Sequence, residues 1–126
     1  MGERTAPRPS VKRIYDAPAA ADGYRVLVDR MWPRGVSREG ARLDEWSRDV
    51  APSDELRRWF DHRPERWPGF CQRYEKELGD RAAAVRGLVE RCAREKVTLL
   101  FASKDRDHNN AVALRNHIVK QSGGSR

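Results

Sequence analysis

Val97-Thr98-Leu99-Leu100-Phe101-Ala102 is the most hydrophobic stretch of the chain and decides how the rest is read. Six residues are too few for a buried helix, and an unbroken β-prone run flanked by polar segments predicts a central strand with cover on both faces. Its closest counterpart lies upstream. Tyr24-Arg25-Val26-Leu27-Val28-Asp29-Arg30 has an apolar centre, and alternation puts Leu27 and Asp29 on one face and Val26, Val28 and Arg30 on the other. Val11 to Tyr15 reads as a third, shorter strand that stops at Asp16 and Pro18.

Helices fill the interval between the last two strands. Ser53 precedes Asp54 and Glu55 as an N-cap with acids in the first turn, and Leu56, Trp59 and Phe60 form the inward face. Pro64 suits the first turn of a second helix with a stripe of Trp67, Phe70, Cys71, Tyr74 and Leu78, ended by Gly79. A third runs from Asp80 to about Glu95, with Val85, Leu88, Val89 and Cys92 in phase. The last runs from about His108 to Lys120 and buries Ala111, Leu114, the Arg115 stem and Ile118. Leu43 to Arg48 is expected as a short helix, and Met31 to Arg42, with Pro33, Gly35 and Gly40, as no single regular element. The order predicts an α/β fold with a small, mainly parallel sheet flanked by helices in one domain over residues 11–120, between flexible tails at 1–10 and 121–126.

The chain has 126 residues, enough for one domain. It carries 26 Lys and Arg against 19 Asp and Glu, a net charge of +7. Residues 1–13 hold +3 of that excess and residues 117–126 hold +2, so the body is nearly balanced and a solvated charged surface is the first reading. No apolar run approaches the roughly 20 residues of a membrane span, and no signal peptide is visible. A cytoplasmic protein is expected. Two cysteines on apolar helical faces predict inert buried thiols rather than a disulfide scaffold or a nucleophile. No phosphate loop, dinucleotide fingerprint or metal motif occurs, so no cofactor and no metal are expected, although Asp29 and Asp105 could share a weakly held Mg²⁺ with a phosphate ligand.

In open α/β sheets ligands bind beyond the carboxyl ends of the strands. Two such ends are rich here, Asp29 to Gly35 and Ser103 to Asn110. If the two strands are parallel neighbours, Arg30, Arg34 and Lys104 converge near a helix N-terminus, where free N–H groups favour an anion. Trp32 supplies a flat wall for a base, a ring or an Arg, and Asn109 orients the ligand. Asp29, Asp105 and His108 are the candidate acid and base groups. Against this stands a structural reading in which Asp29 and Arg30 pair with neighbours and Asp105 or Asp107 caps the helix. His62 and His117 read as plain surface residues.

Residues 25–36, Leu43-Asp-Glu-Trp46, residues 51–60, residues 98–105 and His108-Asn109-Asn110 carry a resemblance. Together they make the chain similar to the domain-of-unknown-function 488 family, in its short YeaO-like branch, over about residues 11–120. The resemblance implies a small α/β fold. In the family's longer branch a Cys follows the two leucines of the last strand, then a Glu, then Cys-His-Arg at the helix start. Here those positions hold Phe101, Ser103 and Asn109-Asn110, so that branch's thiol or metal chemistry does not transfer.

The leading expectation is binding of an anionic small molecule, such as a nucleotide or another phosphate- or carboxylate-bearing metabolite, with hydrolase or transferase chemistry as an extension of it. The alternative is a nucleic-acid-binding or regulatory interaction protein without catalysis, using the basic ends, though no reader motif supports it. The sequence leaves the oligomeric state open.

Overall fold

A computed structural model describes residues 8–123. Four parallel strands form one sheet in the order β1-β4-β2-β3: β1 is Ser10–Arg13, β2 Tyr24–Leu27, β3 Glu45–Trp46 and β4 Val97–Phe101. β4 pairs with β1 and β2, Leu99 facing Val11 on one side and Val26 on the other. Every β4 residue is buried, as the opening hexapeptide requires.

The two faces are covered differently. On one, Val26, Val28, Val97, Leu99 and Phe101 pack against four helices: α2 (Asp54–Phe60), α3 (Trp67–Gly79), α4 (Ala82–Arg94) and α5 (Asn110–Gly123). On the other, Ile14, Leu27 and Leu100 lie under the segment that carries α1 (Arg38–Ala41), with Trp32, Val36, Leu43 and Trp46 against them. A buried ion pair holds that covering segment. Arg25 Nη1 donates to Asp22 at 2.6 Å, while Nε and Nη2 donate to the carbonyls of Arg42 and Ala41. Lys12 and the Ala19 N–H complete the shell of Asp22.

Ser53 caps α2, accepting from the Leu56 N–H and donating its own hydroxyl to Glu77 of α3. Pro64–Arg66 forms a 3-10 turn before α3 proper.

Two expectations need correction. Leu43 to Arg48 is not a helix: Glu45 and Trp46 form edge strand β3, and the Asp44 and Ser47 N–H groups donate to the Arg25 and Leu27 carbonyls. The open edge of β2 needs backbone partners, and that demand outweighs local helix propensity. His117 is only 7% exposed, because the phase that buries Leu114 and Ile118 turns it toward α3. The regular elements also reach a little beyond 11–120, since Ser10 belongs to β1 and α5 continues to Gly123. The outer parts of the expected tails, 1–7 and 124–126, lie outside the described residues.

Among the described residues no helix is long and apolar enough to cross a membrane.

Candidate functional site

β2 and β4 are parallel neighbours, so Asp29 to Pro33 and Ala102 to Asn110 leave the sheet on the same side. Between them and the C-terminal half of α2 lies a cavity of about 500 Å³. Asp29 sits on its floor. One carboxylate oxygen accepts the Asn110 side-chain amide at 3.0 Å and the other the Ala102 N–H at 3.1 Å. Burial pushes the Asp29 carboxyl above the ordinary Asp value, and these two hydrogen bonds with the Arg57 charge offset only part of it.

Cationic groups edge the cavity, Arg30 from the end of β2 and Arg57 and Arg58 from α2, and the His62 imidazole lines it beyond that helix. Asp54 lies between two of them, 2.6 Å from Arg57 Nη1 and 3.6 Å from Arg30 Nε. The second separation exceeds a hydrogen bond, and Arg30 Nε is buried without one. Aromatic rings also line the cavity or back its lining. Phe60 and Phe70 are 4.7 Å apart between ring centroids, and Trp67 meets the His108 ring edge-on at 5.3 Å. Asp61 and His62 at the rim are consecutive left-handed residues, φ 49° and 54°.

The residues singled out from the sequence divide. Asp29, Arg30, Trp32, His108 and Asn109 line the cavity, whereas Arg34, Lys104 and Asp105 do not. Arg13 holds the carbonyls of Ala102 and Ser103, and the next residue, Lys104, is exposed. Arg34 is exposed too, its carbonyl accepting the Tyr15 hydroxyl. Asp105 builds the turn before α5, accepting from the N–H groups of Asp107 and His108 and lying 3.1 Å from His108 Nδ1. Burial alone would raise its carboxyl; these bonds together carry it below the ordinary value. Asn109 accepts from the Val112 N–H and donates to the Asp105 carbonyl, so it caps α5 with both ends of its amide in use. Trp32 is a wall for an Arg: Arg38 lies 4.2 Å from its ring centroid, and its Nε1 donates to the Val36 carbonyl.

Cys71 and Cys92 are half-buried and free, and burial raises both thiols, Cys92 to about 11. Neither is activated as a nucleophile. Asp29 and Asp105 fall in separate hydrogen-bonded sets, and among the described residues no group of three His, Cys, Asp or Glu is placed to hold a metal ion.

Sequence reasoning missed Arg57, Arg58, Phe60 as a wall and Asn110. The helical phase from Ser53 was legible, but nothing local says that the far end of α2 overhangs the strand ends.

Fold and site define a small parallel α/β protein with a cation-edged cavity beyond β2 and β4. The sequence over residues 9–124 matches the family described as "Inactive DUF488-N3 subclade". The chain belongs to the DUF488 family. Its relatives include an uncharacterized protein of Mycobacterium tuberculosis, Rv3073c, 42% identical over 107 residues, covering 85% of this chain and 90% of that one. The uncharacterized protein YeaO of Escherichia coli is 37% identical over 103 residues, covering 82% and 90%. No solved structure matches the chain.

Proposed function

We propose that the chain binds a small molecule bearing a phosphate or carboxylate in the cavity beyond β2 and β4, and holds it without turning it over. The observation that carries this reading is the pair Arg30 and Arg57, which line the cavity and share Asp54 while Arg30 Nε has no hydrogen bond. Buried donors left unsatisfied are rare in folded proteins, and an anion beside Arg30 would satisfy this one. Binding rather than turnover is favoured by the word "inactive" in the subclade's description and by the chemistry at the strand end. Asp105 and Asn109 are consumed in building the turn and cap of α5.

The test is a thermal-shift screen against phosphorylated and carboxylated metabolites. A ligand at about 100 times its Kd adds about 2.7 kcal/mol, a shift of several degrees for a domain of this size. Arg30→Gln and Arg57→Gln should abolish the shift, while Arg34→Ala and Lys104→Ala should leave it intact. The reading fails if no compound shifts the midpoint, or if the shift survives Arg30→Gln.

A further inference from the structure

The cavity is larger than its charge alone requires. About 500 Å³ falls within the range that holds whole organic ligands, and a bare phosphate would leave most of it to water. Its lining separates by chemistry. Arg30, Arg57 and Arg58 bring the charge, and Met31, Pro33, Phe60 and Phe70 are among the residues that bring apolar surface. Met31 is 64% exposed, the most exposed large apolar side chain among the described residues, and it stands beside the cavity rather than on an indifferent surface. A thioether is polarizable and suits contact with a flat ring. A ligand hydroxylated on every side would lose hydration against such a wall and regain nothing.

The floor adds a polar requirement. A carboxylate offers about four lone-pair sites, and Asp29 uses one on each oxygen, for Asn110 and Ala102. It can still accept from a ligand O–H or N–H. On the cationic side, Asp54 is 53% exposed and sits on both guanidiniums as a carboxylate of the chain itself. The Asp54–Arg57 pair, with both side chains about half exposed, is of the weakly held kind. Beside the cavity, the left-handed Asp61 is the C-cap of α2, its N–H donating to the Arg57 carbonyl, and His62 after it is left-handed too, so the helix ends there.

We infer that the ligand is a nucleoside monophosphate, with its phosphate replacing Asp54 on Arg30 and Arg57, its base against Met31 and Pro33, and a hydroxyl or amine donor on Asp29. This rests on the anion-binding reading above and narrows it. Two guanidiniums converging on one group, with Arg58 also lining the cavity, favour a phosphate over a single carboxylate, and the apolar lining favours a base over a sugar phosphate.

The experiment is calorimetric titration of the full chain with the four common ribonucleoside monophosphates, ribose 5-phosphate and inorganic phosphate. The tightest nucleotide should bind at least about tenfold better than ribose 5-phosphate, the gain expected from burying one ring. Met31→Ser should remove most of that difference without weakening ribose 5-phosphate. Asp54→Asn should tighten the nucleotide severalfold. Equal binding of ribose 5-phosphate and every nucleotide overturns the inference and leaves the anion site standing. So does Asp54→Asn leaving nucleotide affinity unchanged or lower, with its unfolding midpoint unaltered. Absence of binding by every compound, or binding indifferent to Arg30→Gln and Arg57→Gln, overturns both.

Discussion

Asn110, the first residue of α5, donates its side-chain amide to Asp29 at the end of β2 at 3.0 Å and to the Val28 carbonyl at the same distance. One side chain thereby ties a strand end to a helix start across the cavity floor. Removing the carboxylate in Asp29→Ala strands the Ala102 N–H and half of the Asn110 amide, which should cost about 1–3 kcal/mol. The native Asp29 value lies above the unfolded one of about 3.9, so its contribution is fullest below that pH and is lost as pH rises through the raised native value. The cost of Asp29→Ala, from urea unfolding, should therefore be larger at pH 4 than at pH 7. An equal or larger cost at pH 7 would contradict the burial argument.

Gly69 and Gly87 should respond oppositely to alanine. A Cβ at Gly69 would stand 2.8 Å from Cη2 of Trp59, whose ring packs between α2 and α3 with Arg66 and Arg73 over it. Gly69→Ala should destabilise by about 1–2 kcal/mol through overpacking. At Gly87, inside α4, nothing lies within 4 Å, so Gly87→Ala should stabilise by about 0.5–1 kcal/mol through helix propensity. Thermal midpoints of the two variants read this directly.

Arg25 is 4% exposed and Asp22 7%. Arg25→Met leaves Asp22 with Lys12 and the Ala19 N–H but frees the Ala41 and Arg42 carbonyls, and should cost about 3 kcal/mol. Burial alone would raise the Asp22 carboxyl; its three partners bring it below the ordinary value. That contribution is present above about pH 3.9 and is lost as pH falls through the lowered native value. Asp22→Asn should accordingly be less stable at pH 7 and show a flatter acid limb. A parallel acid limb in the variant would place the titration elsewhere.

His117 keeps Nδ1 buried without a hydrogen bond, 4.0 Å from a Glu75 oxygen. Burial lowers its pKa, Glu75 works against that, and Lys120 adds to it. A depressed native value means stability present above about pH 6.5 and lost as pH falls through that value. His117→Leu should remove this dependence and raise the thermal midpoint at pH 5.5 more than at pH 8. An unchanged difference between the two pH values would show that the imidazole does not titrate with folding.

Much of the fold was legible because it follows from periodicity. The continuous apolar run at Val97 and the helical stripes of α3 and α4 each state how many faces they must bury. Glu45 and Trp46 were not legible, since two residues carry no period and become a strand only because β2 offers them an edge. The site split in the same way. Asp29, Arg30 and His108 follow from the rule that strand ends hold ligands, but the rule ranks every residue of such a loop alike. It does not say that Arg13 holds the Ser103 carbonyl beside exposed Lys104, or that Arg34 faces solvent.

By itself, then, the sequence determined which segments bury apolar surface, the parallel α/β class and the family, because these depend on patterns along the chain. Only the tertiary structure decided that α2 brings Arg57 and Arg58 over the strand ends, that Asp54 occupies Arg30 and Arg57, and that His117 lies inside. Those depend on the angle and depth at which elements pack. That is a property of side-chain shapes meeting across space, and no spacing in the sequence encodes it.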